Sequence, residues 1–315
     1  MQIVVLDGHA VNPGDVSWAP LQSLGTLSVY DRTHPDLLER RMRGADAVFV
    51  NKVRITRELL IRARQLKFIG VLATGYDVVD TAAARERGVT VCNVPAYSTE
   101  AVVQLTIALL LELVQKTAHH ARLVKEGRWS ASPDFCWWDT PPVLLAGKTI
   151  GVIGCGQIGR RVAEVAKALG MRVLGCNPSR SDAFVGTYTD LDTLLGSSDV
   201  ITLHCPAKAD TIGLIDREAI AKMKTGAILL NTARGSLLNE TDVRDALVQG
   251  KLGGCGVDVV ANEPITVHNP LLSAPNCIIT PHYAWSPVPM RQSLIDVSAQ
   301  NLAAYLAGKP QNVVN

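Results

Sequence analysis

The sequence has no charge excess of either sign, no closely spaced cysteine pair and no long apolar run. Lys and Arg number 31 against 29 Asp and Glu, a net charge of +2, so the basic surface that grips a phosphate backbone is missing and no nucleic-acid partner is expected. Seven cysteines stand at 92, 136, 155, 176, 205, 255 and 277 without a CxxC among them. An odd, scattered set excludes a disulfide framework and zinc spacing, fits a reducing compartment and leaves no metal site to expect. The most apolar stretch, 101–114, is interrupted by Gln104 and Glu112 and is too short to span a bilayer. The N-terminus reaches Asp7 with no basic region or long apolar core, and reads as a first strand, not a signal peptide. Aromatics are scarce, at 5% of 315 residues. These absences predict a cytoplasmic protein with no membrane partner.

What remains is an ordinary globular composition, 47% hydrophobic and 19% charged, in a chain about twice a typical domain length. Residues 3–6, 47–50, 68–72 and 89–91 are short β-branched runs that read as buried strands. Between them, 35–42 opens with proline and 56–64 with Thr56 as a cap, and both read as helices. Strands separated by helices need crossover connections, which predicts a largely parallel sheet covered on both faces. Ser98-Thr99-Glu100 then offers a helix cap, and an apolar helix runs to about residue 117. A polar and aromatic stretch, 119–142, follows, holding Trp129, Phe135, Trp137 and Trp138 outside any clear element. Such a cluster needs a partner surface to cover it. The alternation resumes with strands at 149–153, 172–175, 200–204, 227–231, 254–259 and 278–280, a helix at 157–169 and a last helix at 288–306. The pattern predicts an α/β protein of two Rossmann-like, doubly wound parallel-sheet domains: residues 1–98 with 286–315, and 99–285.

Gly154-Cys155-Gly156-Gln157-Ile158-Gly159 matches GxGxxG between a predicted strand and helix, with a second strand closing the βαβ unit. The first glycine makes the tight turn, the second lets backbone approach a pyrophosphate, and the third lets helix pack on strand, with the phosphates at the positive helix N-terminus. Gln157 and Ile158 join the three glycines as expected cofactor contacts. At the end of the next strand, where an acid selects NAD by accepting from the ribose, stand Asn177, Pro178, Ser179 and Arg180. An amide can bond the ribose without repelling a 2′-phosphate, and Arg180 or Arg160 can attract one. NAD(H) and NADP(H) are both expected to bind.

Three later strands end in polar residues: Asn231-Thr232-Ala233-Arg234-Gly235, then Asp258 to Glu263-Pro264, then Pro281-His282. Ligands bind outside the carboxyl ends of strands in such sheets. Moving a hydride between a 2-hydroxy acid and a nicotinamide needs a cation to hold the carboxylate, a group that exchanges a proton near neutrality, and a carboxylate to orient it. Arginine's two-pronged guanidinium suits the first role, histidine the second and glutamate the third. Arg234, Glu263 and His282 are the candidate catalytic residues. Arg234 and His282 also face the cofactor, as do Thr232, Ala233 and the strand end His204-Cys205-Pro206. His9, His34, His119, His120 and His268 receive no role.

Taken together, Gly154-x-Gly156-x-x-Gly159, Leu203-His204-Cys205-Pro206, Asn231-Thr232-Ala233-Arg234-Gly235, Asp258 to Glu263-Pro264 and Pro281-His282 resemble the D-isomer-specific 2-hydroxyacid dehydrogenases along the whole chain. Leu72-Ala73-Thr74-Gly75-Tyr76, Pro133-Asp134-Phe135-Cys136-Trp137-Trp138-Asp139 and Ala307-Gly308-Lys309-Pro310 look most like the glycerate dehydrogenase, or hydroxypyruvate reductase, branch. The resemblance implies Arg234 as carboxylate anchor, His282 as proton donor and acceptor with Glu263 as partner, and Asp258 on the cofactor's carboxamide. It also implies that backbone at Thr74 and Gly75 cradles the substrate carboxylate. Domain roles follow: a flavodoxin-like substrate-binding domain, and a dinucleotide-binding domain whose residues 99–146 build a homodimer, with Trp138 closing the partner's pocket. The implied reaction joins hydroxypyruvate to D-glycerate, or glyoxylate to glycolate. Asn177 and Tyr283 depart from the family pattern.

Glu263 argues against a formate enzyme, which exchanges no substrate proton. A long phosphoglycerate dehydrogenase carries a regulatory domain, whereas 33 residues follow His282; a short type stays open. The same scaffold also serves as a nucleotide-sensing corepressor, against which the intact Arg234, Glu263 and His282 stand.

Overall fold

A computed structural model describes residues 1–315. The chain forms two compact units, Met1–Ser98 with Trp285–Asn315, and Thr99–Ala284.

The first unit holds strands β1 (Gln2–Val5), β2 (Thr26–Val29), β3 (Ala47–Val50), β4 (Phe68–Val71) and β5 (Thr90–Cys92). All pair in parallel in the order β2-β1-β3-β4-β5, the flavodoxin-like doubly wound arrangement. The central β3 and β4 are buried along their whole length, as expected of parallel strands covered on both faces. The last helix, Val288–Leu306, seats Leu294, Ile295 and Leu302 in one core with Phe49 and Phe68. Arg291 on that helix is buried and makes a two-pronged ion pair with Asp15, both contacts at 2.6 Å.

Three local expectations change. Edge strand β2 is mostly exposed and half polar, so it lacks the apolar run that marks its neighbours. The stretch from Pro35 begins as a short 3₁₀ turn, Pro35–Leu37, before the α-helix Leu38–Met42. Thr56 occupies the N-cap position of the helix Arg57–Arg62 but makes no capping bond; its hydroxyl serves the Glu58 carboxylate instead, helping to hold that group below its usual range.

The second unit holds β6 (Thr149–Ile153), β7 (Arg172–Cys176), β8 (Thr187–Tyr188), β9 (Val200–Leu203), β10 (Ala227–Asn231), β11 (Leu252–Val257) and β12 (Cys277–Ile279). All are parallel, in the order β12-β11-β10-β9-β6-β7-β8. The chain winds outward from β6 in one direction through β7 and β8, then returns to β9 and winds the other way. The crevice between β6 and β9 is therefore the switch point, where such sheets bind ligands.

The apolar helix Thr99–Gln115 stops earlier than its composition suggests. Lys116 takes a left-handed φ of 50°, and a second helix, Thr117–Lys125, continues at a bend of 54°. Residues 119–125, read from sequence as irregular, are thus helical, while Trp129, Trp137 and Trp138 lie beyond the helix. No single helix is long and apolar enough to cross a membrane.

Candidate active site

The glycine turn opens directly from β6. Gly154 has φ 93°, and a side chain there would lie 2.5 Å from the Cys205 nitrogen; the turn fits because it presses on the end of β9. The turn is tied on both sides, since Gly154 N–H donates to Cys176 O (2.9 Å) and His204 N–H to Ile153 O (2.7 Å). A Cβ on Gly159 would sit 2.1 Å from Gly154 O, whereas one on Gly156 would meet no protein atom within 4 Å. Two glycines are thus demanded by the protein's own packing, and the middle one faces open space. The helix Gln157–Ala168 begins here with no side-chain cap. Its first N–H groups, at Gln157, Ile158 and Gly159, point out of the helix end without intrahelical partners. Exposed donors, the positive end of a 12-residue helix and room above Gly156 fit the pyrophosphate of a dinucleotide.

At the end of β7, Asn177 is occupied. Its Oδ1 accepts from Cys155 N–H (3.1 Å), and its Nδ2 donates to Ser179 O (2.6 Å) and Ser179 Oγ (3.1 Å). Asn177 thus braces the glycine turn through its amide, and the second lone pair of Oδ1 is the group it can offer to a ribose hydroxyl. Arg180 is exposed and lies 5.9 Å over the Tyr188 ring, while Arg160 Nη1 reaches Ser181 Oγ at 3.4 Å. His204 is half-buried at the end of β9, with Nε2 2.9 Å from Thr202 Oγ1, and desolvation of its ring pushes the pKa down to about 3. It stays neutral. Burial also raises the Cys205 thiol, and Pro206 is exposed. Thr232 is buried, with its Oγ1 2.8 Å from that of Thr106 on the long helix. Thr106 already donates to Val102 O (2.8 Å), so Thr232 supplies the proton of their shared bond.

Registers Asn231↔Val257 and Val257↔Ile279 start the three catalytic-candidate loops side by side. Buried Asn231 folds the first loop: its Oδ1 accepts from Ala233 N–H (3.0 Å) and its Nδ2 donates to Arg234 O (2.8 Å). The Arg234 side chain is exposed, makes no ion pair, and donates only to the neighbouring Ala233 O (2.8 Å). A surface ion pair, the commonest use of such an arginine, is therefore absent. The next residue, Gly235, touches the second loop, where a Cβ would lie 1.9 Å from the Val260 carbonyl carbon. From that loop Glu263 Oε1 accepts from Val260 N–H (3.3 Å), and Glu263 Oε2 meets His282 Nδ1 at 2.6 Å.

His282 has a left-handed φ of 52°, a conformation that strains a residue with a Cβ. Asp258 holds it there. This carboxylate, only 1% exposed, accepts from Thr280 Oγ1 (2.6 Å), Tyr283 N–H (3.1 Å) and Ala284 N–H (3.0 Å), bracketing His282 on both sides. The contact with a cofactor carboxamide implied for Asp258 would share the carboxylate with these three donors. Asn231 and Gly235 carry no chemistry and received no site role from sequence; their buried or crowded positions gave no signal without the fold.

Thr74 and Gly75 belong to the first unit, in the loop after β4. The Thr74 hydroxyl is spent on Val94 O (2.9 Å), which leaves backbone N–H groups as that loop's donors. Trp138, Phe135 and Leu144 of the second unit are 57%, 90% and 74% exposed, an apolar surface rather than a packed core. Among the histidines without a role, His119 meets Asp139 at 2.9 Å and His120 accepts from Asp139 N–H (3.3 Å), pinning the segment beside Trp138.

Residues 107–284 match the family described as D-isomer specific 2-hydroxyacid dehydrogenase, NAD binding domain. The chain is 48% identical to a hydroxypyruvate reductase of Blautia hydrogenotrophica over the full length of both. It is 43% identical to a glycerate dehydrogenase of Methylorubrum extorquens, covering 89% of this chain and 88% of that one. Among solved structures, the TT0316 protein of Thermus thermophilus superposes over both whole chains with a TM-score of 0.87 at 36% identity. The glycine turn with its open helix end, and the carboxylate-paired histidine on the same sheet, agree with these likenesses: the chain belongs to the D-isomer-specific 2-hydroxyacid dehydrogenases and is a nicotinamide-dinucleotide-dependent oxidoreductase.

Proposed function

We propose that this dehydrogenase reduces hydroxypyruvate to D-glycerate, takes glyoxylate as a second substrate, and works as a cytoplasmic homodimer. The observation that carries the chemical assignment is the 2.6 Å contact of His282 Nδ1 with Glu263, on loops adjoining that of an arginine with no ion-pair partner. A bound reduced nicotinamide supplies the hydride that adds to C2 of the keto acid. The Arg234 guanidinium grips the substrate carboxylate with two parallel N–H donors and polarises the C2 carbonyl. As the C2–O π bond breaks, the oxygen takes a proton from His282 Nε2, on the side of the ring opposite the Nδ1 that meets Glu263. Glu263 fixes the ring and stabilises the imidazolium that gives up this proton. Oxidation runs the same path in reverse. Backbone N–H groups at Thr74 and Gly75 bind the carboxylate as well, and Met1–Ser98 with Trp285–Asn315 is the substrate-binding domain.

The cofactor reading rests on the end of β7. Asn177 stands where an acid would repel a 2′-phosphate; Arg180 lies between Ser179 and Ser181 in sequence, and Arg160 Nη1 reaches Ser181 Oγ at 3.4 Å. NADPH is accepted alongside NADH. Exposed Trp138, Phe135 and Leu144 support dimerisation through residues 99–146, with Trp138 closing the partner's substrate pocket.

The test is consumption of NADH and of NADPH with a panel of small 2-keto acids. Steady turnover, fastest with hydroxypyruvate, is the expected result. Dinucleotide binding without turnover of any keto acid would instead indicate a sensor.

A further inference from the structure

In the first unit, three asparagines join the C-terminal tail, the last helix and the end of β5, and their bonds run on to the Thr74–Gly75 loop. Asn93 follows β5 and is buried. Its backbone N–H donates to Asn312 O (3.1 Å), and its backbone carbonyl accepts from Nδ2 of Asn301 (2.8 Å), a residue 1% exposed. Asn312 Nδ2 closes the set by donating to Asn301 Oδ1 (2.8 Å). The tail itself is annealed to β5: Val314 N–H donates to Val91 O (2.9 Å), and Asn315 Oδ1 accepts from Val91 N–H (2.8 Å). Held this way, Asn93 extends its side chain to the loop, where Nδ2 donates to the carbonyl oxygen of Thr74 at 2.7 Å. Two further bonds run beside it, Val94 N–H to Ala73 O (3.0 Å) and Thr74 Oγ1 to Val94 O (2.9 Å).

The consequence follows from the planarity of one peptide. The Thr74 carbonyl and the Gly75 N–H belong to the same trans unit and point in opposite directions. Anchoring the oxygen inward on Asn93 therefore aims the Gly75 N–H outward. The Thr74 hydroxyl is spent within the loop, and neither the Thr74 nor the Gly75 N–H donates to a protein acceptor. We propose that Asn93 is a positioning residue for substrate, holding the Thr74 carbonyl so that the Gly75 N–H is presented to the carboxylate of the keto acid. The inference rests on the reading of Thr74 and Gly75 as a carboxylate cradle. An amide suits the task because it donates from a buried position without carrying a charge.

The substitution Asn93→Asp keeps the shape and removes the donor. Above neutrality an ionised carboxylate opposes the Thr74 carbonyl; when protonated it can donate as the amide does. The carboxylate is a non-reacting part of the substrate, held alike in ground and transition states, so its loss appears in KM and not in kcat. With hydroxypyruvate and NADH, the variant is expected to raise the keto-acid KM about tenfold at pH 8 relative to wild type, with kcat and the NADH KM within about twofold. The ratio to wild type should shrink as pH falls. A KM ratio that ignores pH, or equal losses in kcat and NADH binding, overturns the proposal in favour of a purely structural role. Gly75→Pro, which deletes the N–H, separates the two layers of the argument. If it raises KM while Asn93→Asp does not, the cradle stands and the positioning role is lost; if it leaves KM unchanged, the cradle reading itself fails. Should Asn93→Asp not fold, Asn312→Ala loosens the same set from further away and is expected to raise KM about two- to threefold by the same logic. An unchanged KM there counts against the proposal.

Discussion

The glycine turn after β6 and the turns after β10, β11 and β12 stand at the same end of one sheet, yet they are held by different means. The first is held mostly by backbone on backbone, with Gly154 against Cys205 and Gly159 against Gly154, and, apart from the Cys155 N–H that Asn177 takes, it presents N–H groups that side chains leave alone. The others are held by buried polar side chains, Asn231 under Arg234 and Asp258 around His282, and they present side chains. A turn that must meet a phosphate needs side chains removed. A turn that must aim a guanidinium or an imidazole needs each loop fixed from below by groups whose own hydrogen bonds are satisfied. Gly235 is where the second set borrows the device of the first.

That contrast can be broken by one kind of change made in two places. Gly235→Ala drives a Cβ into the Val260 carbonyl carbon, parting the Arg234 loop from the Glu263 loop. It is expected to lower kcat/KM by about 10²-fold, as misplacement of catalytic groups does, while the dinucleotide Kd, read by titration, changes little. Gly156→Ala adds a Cβ that meets no protein atom, so thermal stability should hold while dinucleotide affinity drops about tenfold, because the methyl takes the space of the pyrophosphate. Equal effects of the two on binding and turnover would erase the distinction.

A second prediction concerns pH at the switch point. The folded-state pKa of His204, about 3, lies below its ordinary 6.5, so between these values the unfolded chain binds the extra proton. Stability is whole above pH 6.5 and is lost as pH falls towards 3, by about 2 kcal/mol at pH 5. Denaturant unfolding of wild type and His204→Gln at pH 7.5 and pH 5 checks this; the variant should lose less on acidification. A smaller effect is expected at the end of β7. Asn177→Asp introduces the charge that repels a 2′-phosphate, and the NADPH-to-NADH ratio of kcat/KM should move about tenfold towards NADH. An unmoved ratio would separate cofactor choice from this position.

Much of this was legible before any coordinates. The βαβ rhythm, the glycine turn and the Arg234, Glu263 and His282 strand ends stand out because apolar periodicity and glycine spacing are local properties. Less visible were β2, whose exposed edge needs no apolar run, and the helix Thr117–Lys125, whose polar face resembles a loop until Lys116 turns the chain. The supports were hidden for another reason. Asn93, Asn231 and Asp258 act through partners between 19 and 26 residues away or through the curl of a single turn, and a lone Asn or Asp after an apolar strand gives no sign of what it holds. Asn177 has a structural task that its position did not announce: besides the expected ribose contact, its amide braces the glycine turn.

The most direct test of the central claim is single-turnover reduction of hydroxypyruvate by wild type and His282→Ala, each first saturated with NADH and matched for bound cofactor. The chemical step should slow by about 10³-fold in the variant with NADH binding intact and D-glycerate the wild-type product. An undiminished step with the imidazole gone would contradict its assignment as the proton donor.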